Sequence, residues 1–120
     1  MWNAGLRDFE RDILPMCREE GMAICPYGVL GQGRFQTQSA YEERQKNNPG
    51  RQNAPLSQHD INVSRVLEKV AKAKGGDTGI LHIALAYVMQ KAPNVFPIVG
   101  GRTVDHIKGN IAGLSVAFTE

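Results

Sequence analysis

The sequence predicts an α/β fold with parallel strands, and three observations carry that prediction. Two short runs, 22–26 (MAICP) and 95–99 (VFPIV), are apolar without alternation, as strands buried on both faces of a parallel sheet are. The segments between and after them place apolar residues at helical spacing. Each run leads directly into glycines, YGVLGQG after the first and GG after the second. Two strands separated by helices pair in parallel through a right-handed crossover.

The elements follow in order. Leu6, Phe9 and Ile13 share one helical face, and Pro15 is expected to open a short helix over 15–20, because its missing N–H costs nothing in a first turn. Gly21 suits the residue after that helix. The first strand and its glycine loop come next. Residues 37–56 are polar, with a turn signal at Asn47-Asn48-Pro49-Gly50, and predict a long exposed loop. Ser57 and Asp60 resemble a capping box ahead of an amphipathic helix carrying Ile61, Val63, Val66, Leu67, Val70 and Ala71, which ends at Gly75-Gly76. A second helix, from Thr78 to about Lys91, is apolar over most of its circumference and is expected to be largely buried. The strand 95–99 follows. Thr103 is then the N-cap of a last helix whose buried face is expected to hold Val104, Ile107, Ile111 and Leu114.

With 120 residues, 42% of them apolar, the chain suits one small domain or part of a larger one. A net charge of +2, with basic and acidic residues interspersed, argues against a dedicated nucleic-acid surface. The helices at 61–74 and 79–91 superficially suggest a helix-turn-helix, but the second is too apolar to read bases. No secretory signal and no membrane-spanning run is visible, which predicts a soluble cytoplasmic protein. Cys17 and Cys25 lie in apolar surroundings without metal-ligand spacing and are expected to be buried free thiols. Tyr87 and Met89 read as packing residues, His82 as a hydrogen-bonded core residue and His59 as part of the capping turn. Two parallel strands alone would leave unpaired edges and an uncovered apolar face. The chain is therefore expected to be a piece of a larger α/β protein or to need a partner.

In parallel α/β folds ligands bind at the carboxyl ends of the strands. Gly28, Gly31 and Gly33 follow the first strand, and Gly100 and Gly101 lead into a helix N-terminus, a natural anion site. Arg34 and Arg102 would add charge. The first loop is G-x-x-G-x-G, neither a dinucleotide fingerprint nor a P-loop, and on its own reads more readily as a turn; two such exits at equivalent ends of neighbouring parallel strands make a phosphate cradle as good a reading.

The stretches WNAGLRDFERDILPMCREEGMAICPYGVLGQGRF and VFPIVGGRTVDHIKGNIAGLSV resemble the C-terminal part of the aldo-keto reductases, in the branch of fungal aryl-alcohol dehydrogenases and norsolorinic acid reductases. The resemblance implies a (β/α)8 barrel, of which this chain would supply strands seven and eight with their helices, and phosphate sites after those strands are common in barrels. It implies an NADP(H)-dependent oxidoreductase interconverting aldehydes or ketones and alcohols, with a nicotinamide cofactor and a small carbonyl or alcohol substrate as partners, and no nucleic acid or membrane. By position, Tyr27 would stack on the nicotinamide, and Gly28, Leu30, Gly31, Gly33 and Arg34 would close over the pyrophosphate. Gly100, Gly101, Arg102 and His106 would hold the adenosine phosphate, and Asn110 would bond the adenine. Trp2 and Asn3 would lie at the end of strand six, beside the cofactor. The family's Asp, Tyr, Lys and His acid–base set belongs to the first four strands. Tyr27, Tyr41, Tyr87, His59, His82 and His106 do not match it, so no catalytic residue and no metal ligand is assigned. The alternative expectation is a non-catalytic nucleotide-binding or regulatory module of the same family, docking on a full-length relative.

Overall fold

The structure, a computed structural model, describes residues 1–47 and 55–119. Its helices are α1 (Ile13–Glu19), α2 (Gln38–Asn47), α3 (Gln58–Lys74), α4 (Ile80–Lys91) and α5 (Val104–Ala112), with short 3₁₀ turns at Asp8–Glu10, Gly31–Gly33 and Gly113–Ser115.

Helix α1 begins before Pro15 rather than at it. The Asp12 side chain accepts from Ile13 N–H and caps the helix, and Pro15 still falls in the first turn, where N–H groups have no intrahelical acceptor. The expected exposed loop over 37–56 is corrected by α2. Thr37 Oγ1 accepts from Ala40 N–H at 3.2 Å, and Gln38 donates to Glu42 one turn on. Its residues are mostly good helix formers, but none is buried, so no apolar stripe marks the helix in the sequence. The turn signal at Asn48, Pro49 and Gly50 lies outside the described residues.

Helix α3 has the full capping box: the Ser57 side chain accepts from Asp60 N–H, and the Asp60 carboxylate accepts from Ser57 N–H. Ser57→Ala is expected to lower stability by about 1 kcal/mol, read as a fall in the urea midpoint at unchanged slope. Helix α4 is largely buried, as expected, with Ile83, Ala84, Leu85, Ala86 and Val88 inside. Half-buried His82 takes a hydrogen bond on Nδ1 from Gly79 N–H at 3.0 Å.

The two apolar runs do pair in parallel. Ile24 N–H donates to Asn94 O (2.9 Å), Phe96 N–H to Ile24 O (2.7 Å) and Ile98 N–H to Pro26 O (2.9 Å). Only the Ile24–Val95 bridge is complete. At the next position along, Pro26 has no N–H to offer, so the ladder is cut to one bond there. The expectation that both runs are buried on both faces is corrected too. Ile24 and Val95 pack inside, while Cys25, Phe96 and Ile98 are exposed. Of the two free thiols, Cys17 is buried and Cys25 is not.

Two clusters make the core. One joins Trp2, Leu14, Cys17, Ile24, Val29 and Val95 to Leu85 and Val88 of α4. The other joins Phe35, Leu67 and Ala71 to Ile83 and Ala84 of the same helix, with Val116 and Phe118 against it. Gln90 holds that C-terminal segment by its backbone, donating to Val116 O and accepting from Phe118 N–H. Helix α5 departs from expectation: Val104, Ile107, Ile111 and Leu114 are all exposed. Ile107, Ile111 and Leu114 line an open apolar cleft of about 290 Å³ between α5, α4 and residues 95–99. The periodic stripe marks the apolar face correctly, but nothing among the described residues covers it.

Candidate cofactor site

Parallel pairing sends the chain out of both extended segments at the same end. Tyr27 follows Pro26 there, and Gly100 follows Val99. The first exit turns sharply. Gly28 has φ +68° and Gly31 φ +72°, values that side chains disfavour. Crowding adds a second requirement at Gly31, where a Cβ would lie 2.7 Å from the buried Phe35 ring; at Gly28 it would crowd only the Met1 side chain, exposed and free to shift. Gly31 N–H donates to Gly28 O at 3.0 Å and closes the turn, and Gln32 and Gly33 continue with positive φ. Val29 is buried and Leu30 half-buried beneath this turn, while Tyr27 is 56% exposed.

Arg34 leaves the loop towards α3, where its guanidinium lies 3.3 Å from Asp60 Oδ2. Burial tends to raise the Asp60 pKa, but hydrogen bonds from Ser57 and the charge of Arg34 outweigh it and hold the carboxyl below its ordinary value. At the second exit, Thr103 Oγ1 accepts from His106 N–H (3.3 Å) and caps α5, and His106 Nδ1 accepts from Arg102 N–H (3.2 Å). The Arg102 side chain is exposed, and a Cβ at Gly100 would meet open space. The N–H groups of Arg102 and His106 are thus already engaged, and the exposed Arg102 guanidinium is what this exit offers to an anion. Asn110, on α5, faces the apolar cleft: its Nδ2 is buried without a hydrogen-bond partner, near Phe96, Val99 and Ile107.

Residues before the first exit hold it from behind. Trp2 is fully buried and its N–H donates to Tyr27 O at 3.4 Å. Its indole stacks on Phe9 and donates from Nε1 to Glu10 Oε1 at 3.1 Å. Tyr87 OH also donates to Glu10, and Arg7 pairs with it at 2.9 Å. Burial alone would raise the Glu10 pKa, but the hydrogen bonds from Arg7, Tyr87 and Trp2 bring it down to about 2. Tyr87 is pushed the other way, by burial and then by the bond to Glu10, so its hydroxyl stays protonated.

The Aldo/keto reductase family matches residues 2–120. The chain belongs to the aldo/keto reductase family. It is 59% identical over 120 residues to norsolorinic acid reductase B of Dothistroma septosporum, covering all of this chain and 30% of that protein. It is 47% identical over 122 residues to a probable aryl-alcohol dehydrogenase of Saccharomyces cerevisiae, covering 98% of this chain and 37% of the relative. Among solved structures, the glycerol dehydrogenase of Gluconobacter oxydans superposes with a TM-score of 0.73 at 21% identity, over 98% of this chain and 37% of that one. That likeness shows the fold, part of an aldo/keto reductase barrel. The chain thus spans about a third of the length of these relatives.

Within this aldo/keto reductase chain, the topology brings Tyr27, Gly28, Leu30, Gly31, Gly33 and Arg34 to the same end as Gly100, Gly101, Arg102 and His106. Asn110 lies further along α5 in the apolar cleft. The sequence reading missed three groups at the site. Asp60 was seen only as a cap, not as the partner of Arg34, which lies 26 residues away. Glu10 drew no attention, although its spacing from Arg7 is that of a helical ion pair. Tyr87 does more than pack, since its hydroxyl is tied to Glu10. Among the described residues no group of His, Cys, Asp or Glu is placed to hold a metal, and no helix is long and apolar enough to cross a membrane.

Proposed function

We propose that this chain carries the cofactor-binding half-site of an NADP(H)-dependent aldo/keto reductase, working in the cytoplasm on an aldehyde or ketone and its alcohol, with aryl-alcohol or norsolorinic acid-like substrates. In this reading the paired segments are strands seven and eight of the barrel. The observation that carries it is the parallel pairing of 24–26 with 95–98, which delivers two glycine-bearing exits to one end. Tyr27 offers an exposed ring as a stacking face for the nicotinamide, and the Gly28–Gly33 turn with Arg34 lies where a pyrophosphate would pass. Arg102, His106 and the start of α5 suit an adenosine phosphate, and Asn110, further along that helix, holds a buried amide without a hydrogen-bond partner. The nicotinamide supplies the hydride when bound; this chain's residues bind and orient it. Arg34 spends one guanidinium nitrogen on Asp60 and keeps its remaining N–H donors for a phosphate.

Titration of the intact protein with NADPH and with NADH tests the reading. Saturable NADPH binding is expected. Arg102→Ala is expected to weaken it roughly 10- to 100-fold, as for loss of a charge-assisted hydrogen bond, and to weaken NADH binding much less. Equal loss for both cofactors, or none, contradicts the phosphate role. The 120-residue chain alone is expected not to reduce aromatic aldehydes, and turnover above a protein-free control would refute that.

A further inference from the structure

We propose that Asn3 is a positioning residue for the cofactor: its side-chain amide fixes the Tyr27–Gly31 turn in the shape that receives the pyrophosphate. The proposal rests on the cofactor reading of that turn. Asn3 is 3% exposed, and all of its side-chain contacts are spent on backbone. Nδ2 donates to Gly28 O at 2.9 Å. Oδ1 accepts from Gly5 N–H (2.9 Å) and Leu6 N–H (2.8 Å). The Gly28 carbonyl therefore receives two donors, Asn3 Nδ2 from outside the turn and Gly31 N–H from within it. One residue earlier, Trp2 N–H reaches Tyr27 O, and Trp2 is itself anchored through Nε1 to Glu10. The backbone that presents Tyr27 and Gly28 is thus pinned at two successive carbonyls by Trp2 and Asn3.

The pinning matters because the turn is intrinsically unfavourable. Gln32 adopts φ +52° between two glycines that also have positive φ. Such conformations persist only where surrounding contacts over-determine them. Asn suits the task because one planar group both donates and accepts, at a fixed separation. A hydroxyl is too short to span Gly5 and Gly28, and a carboxylate cannot donate.

The test uses the intact protein with NADP⁺ as probe, since the oxidised cofactor tolerates acid. Asn3→Asp keeps the oxygen that accepts from Gly5 and Leu6 but loses the donor to Gly28. Amide exchange at Gly31, measured against Leu85 and Val88 in α4, is expected to accelerate about tenfold, and the Kd for NADP⁺ to rise about tenfold. Lowering the pH until the introduced carboxyl is protonated restores an O–H donor, so both defects are expected to shrink. Each pH point is read against wild type, so that acid effects common to both proteins cancel; His59 Nε2–H, which donates to Gly5 O close by, is present in both. Asn3→Ala is expected to show the same two defects without recovery in acid. Wild-type Gly31 exchange in both variants overturns the proposal, as does faster exchange with an unchanged Kd. Failure of wild type to bind NADP⁺ overturns the cofactor reading and this role with it. That result is distinct from failure of Asn3 alone, in which wild type and variants bind equally well.

Discussion

Glu10→Gln is expected to flatten the acid limb of the stability curve. Glu10 is nearly enclosed, its side chain 12% exposed, and accepts from Trp2 Nε1, Tyr87 OH and Arg7. Folding lowers its pKa from 4.5 to about 2. A carboxylate with a lowered pKa stabilises the fold fully above its unfolded value, and that contribution disappears as the pH falls through the folded one. The window here runs from about pH 4.5 down to about pH 2. At 1.36 kcal/mol per tenfold change in protonation, the contribution is about 3 kcal/mol near neutral pH. Denaturant midpoints for wild type and Glu10→Gln are therefore expected to differ most at pH 7 and to converge near pH 2. Asp60 also has a lowered pKa and adds to the acid loss in both proteins. The difference between the curves isolates Glu10, and parallel curves would show that the cluster contributes nothing through charge.

The second large effect is expected at Gly31. Alanine there adopts φ +72° at a cost of about 1–2 kcal/mol. Its Cβ would also fall 2.7 Å from Cδ2 and 2.8 Å from Cγ of Phe35, a buried ring that cannot swing aside, and such overpacking costs about 1–3 kcal/mol. Gly31→Ala is thus expected to lose about 2–5 kcal/mol in urea denaturation. Gly100→Ala is the matching control, because its Cβ would enter open space. It is expected to stay within about 0.5 kcal/mol of wild type. Equal behaviour of the two variants would mean that the first turn is not built as described.

Legibility in the sequence followed the range of the interaction. The apolar runs, the glycine exits and the Ser57–Asp60 cap announce themselves within a few residues; the cap formed as expected, while the runs, expected as strands, meet in parallel at a single bridge among the described residues. Helix α2 was hidden because an all-polar helix leaves no period to read. The stripe on α5 was read correctly as apolar and wrongly as buried, since periodicity says which face is greasy and not what covers it. The same limit applied to the paired segments: a run without alternation suggested two covered faces, and only one is covered. Long-range partners were out of reach. Nothing local ties Glu10 to Tyr87, which lie 77 residues apart. Arg34 was predicted as a phosphate ligand from its loop, while its carboxylate partner sits on another helix.

The sharing of α4 between the two core clusters has a kinetic meaning. Leu85 and Val88 face one cluster and Ile83 and Ala84 the other, so a single helix is a wall of both. Neither half can open by itself without stripping that helix of half its contacts. The N-terminal segments and the α3 side are therefore bound into one unfolding event. The Gly28–Gly31 turn, which rests on the first cluster through Val29, and the C-terminal segment packed on the second therefore lean on the same helix.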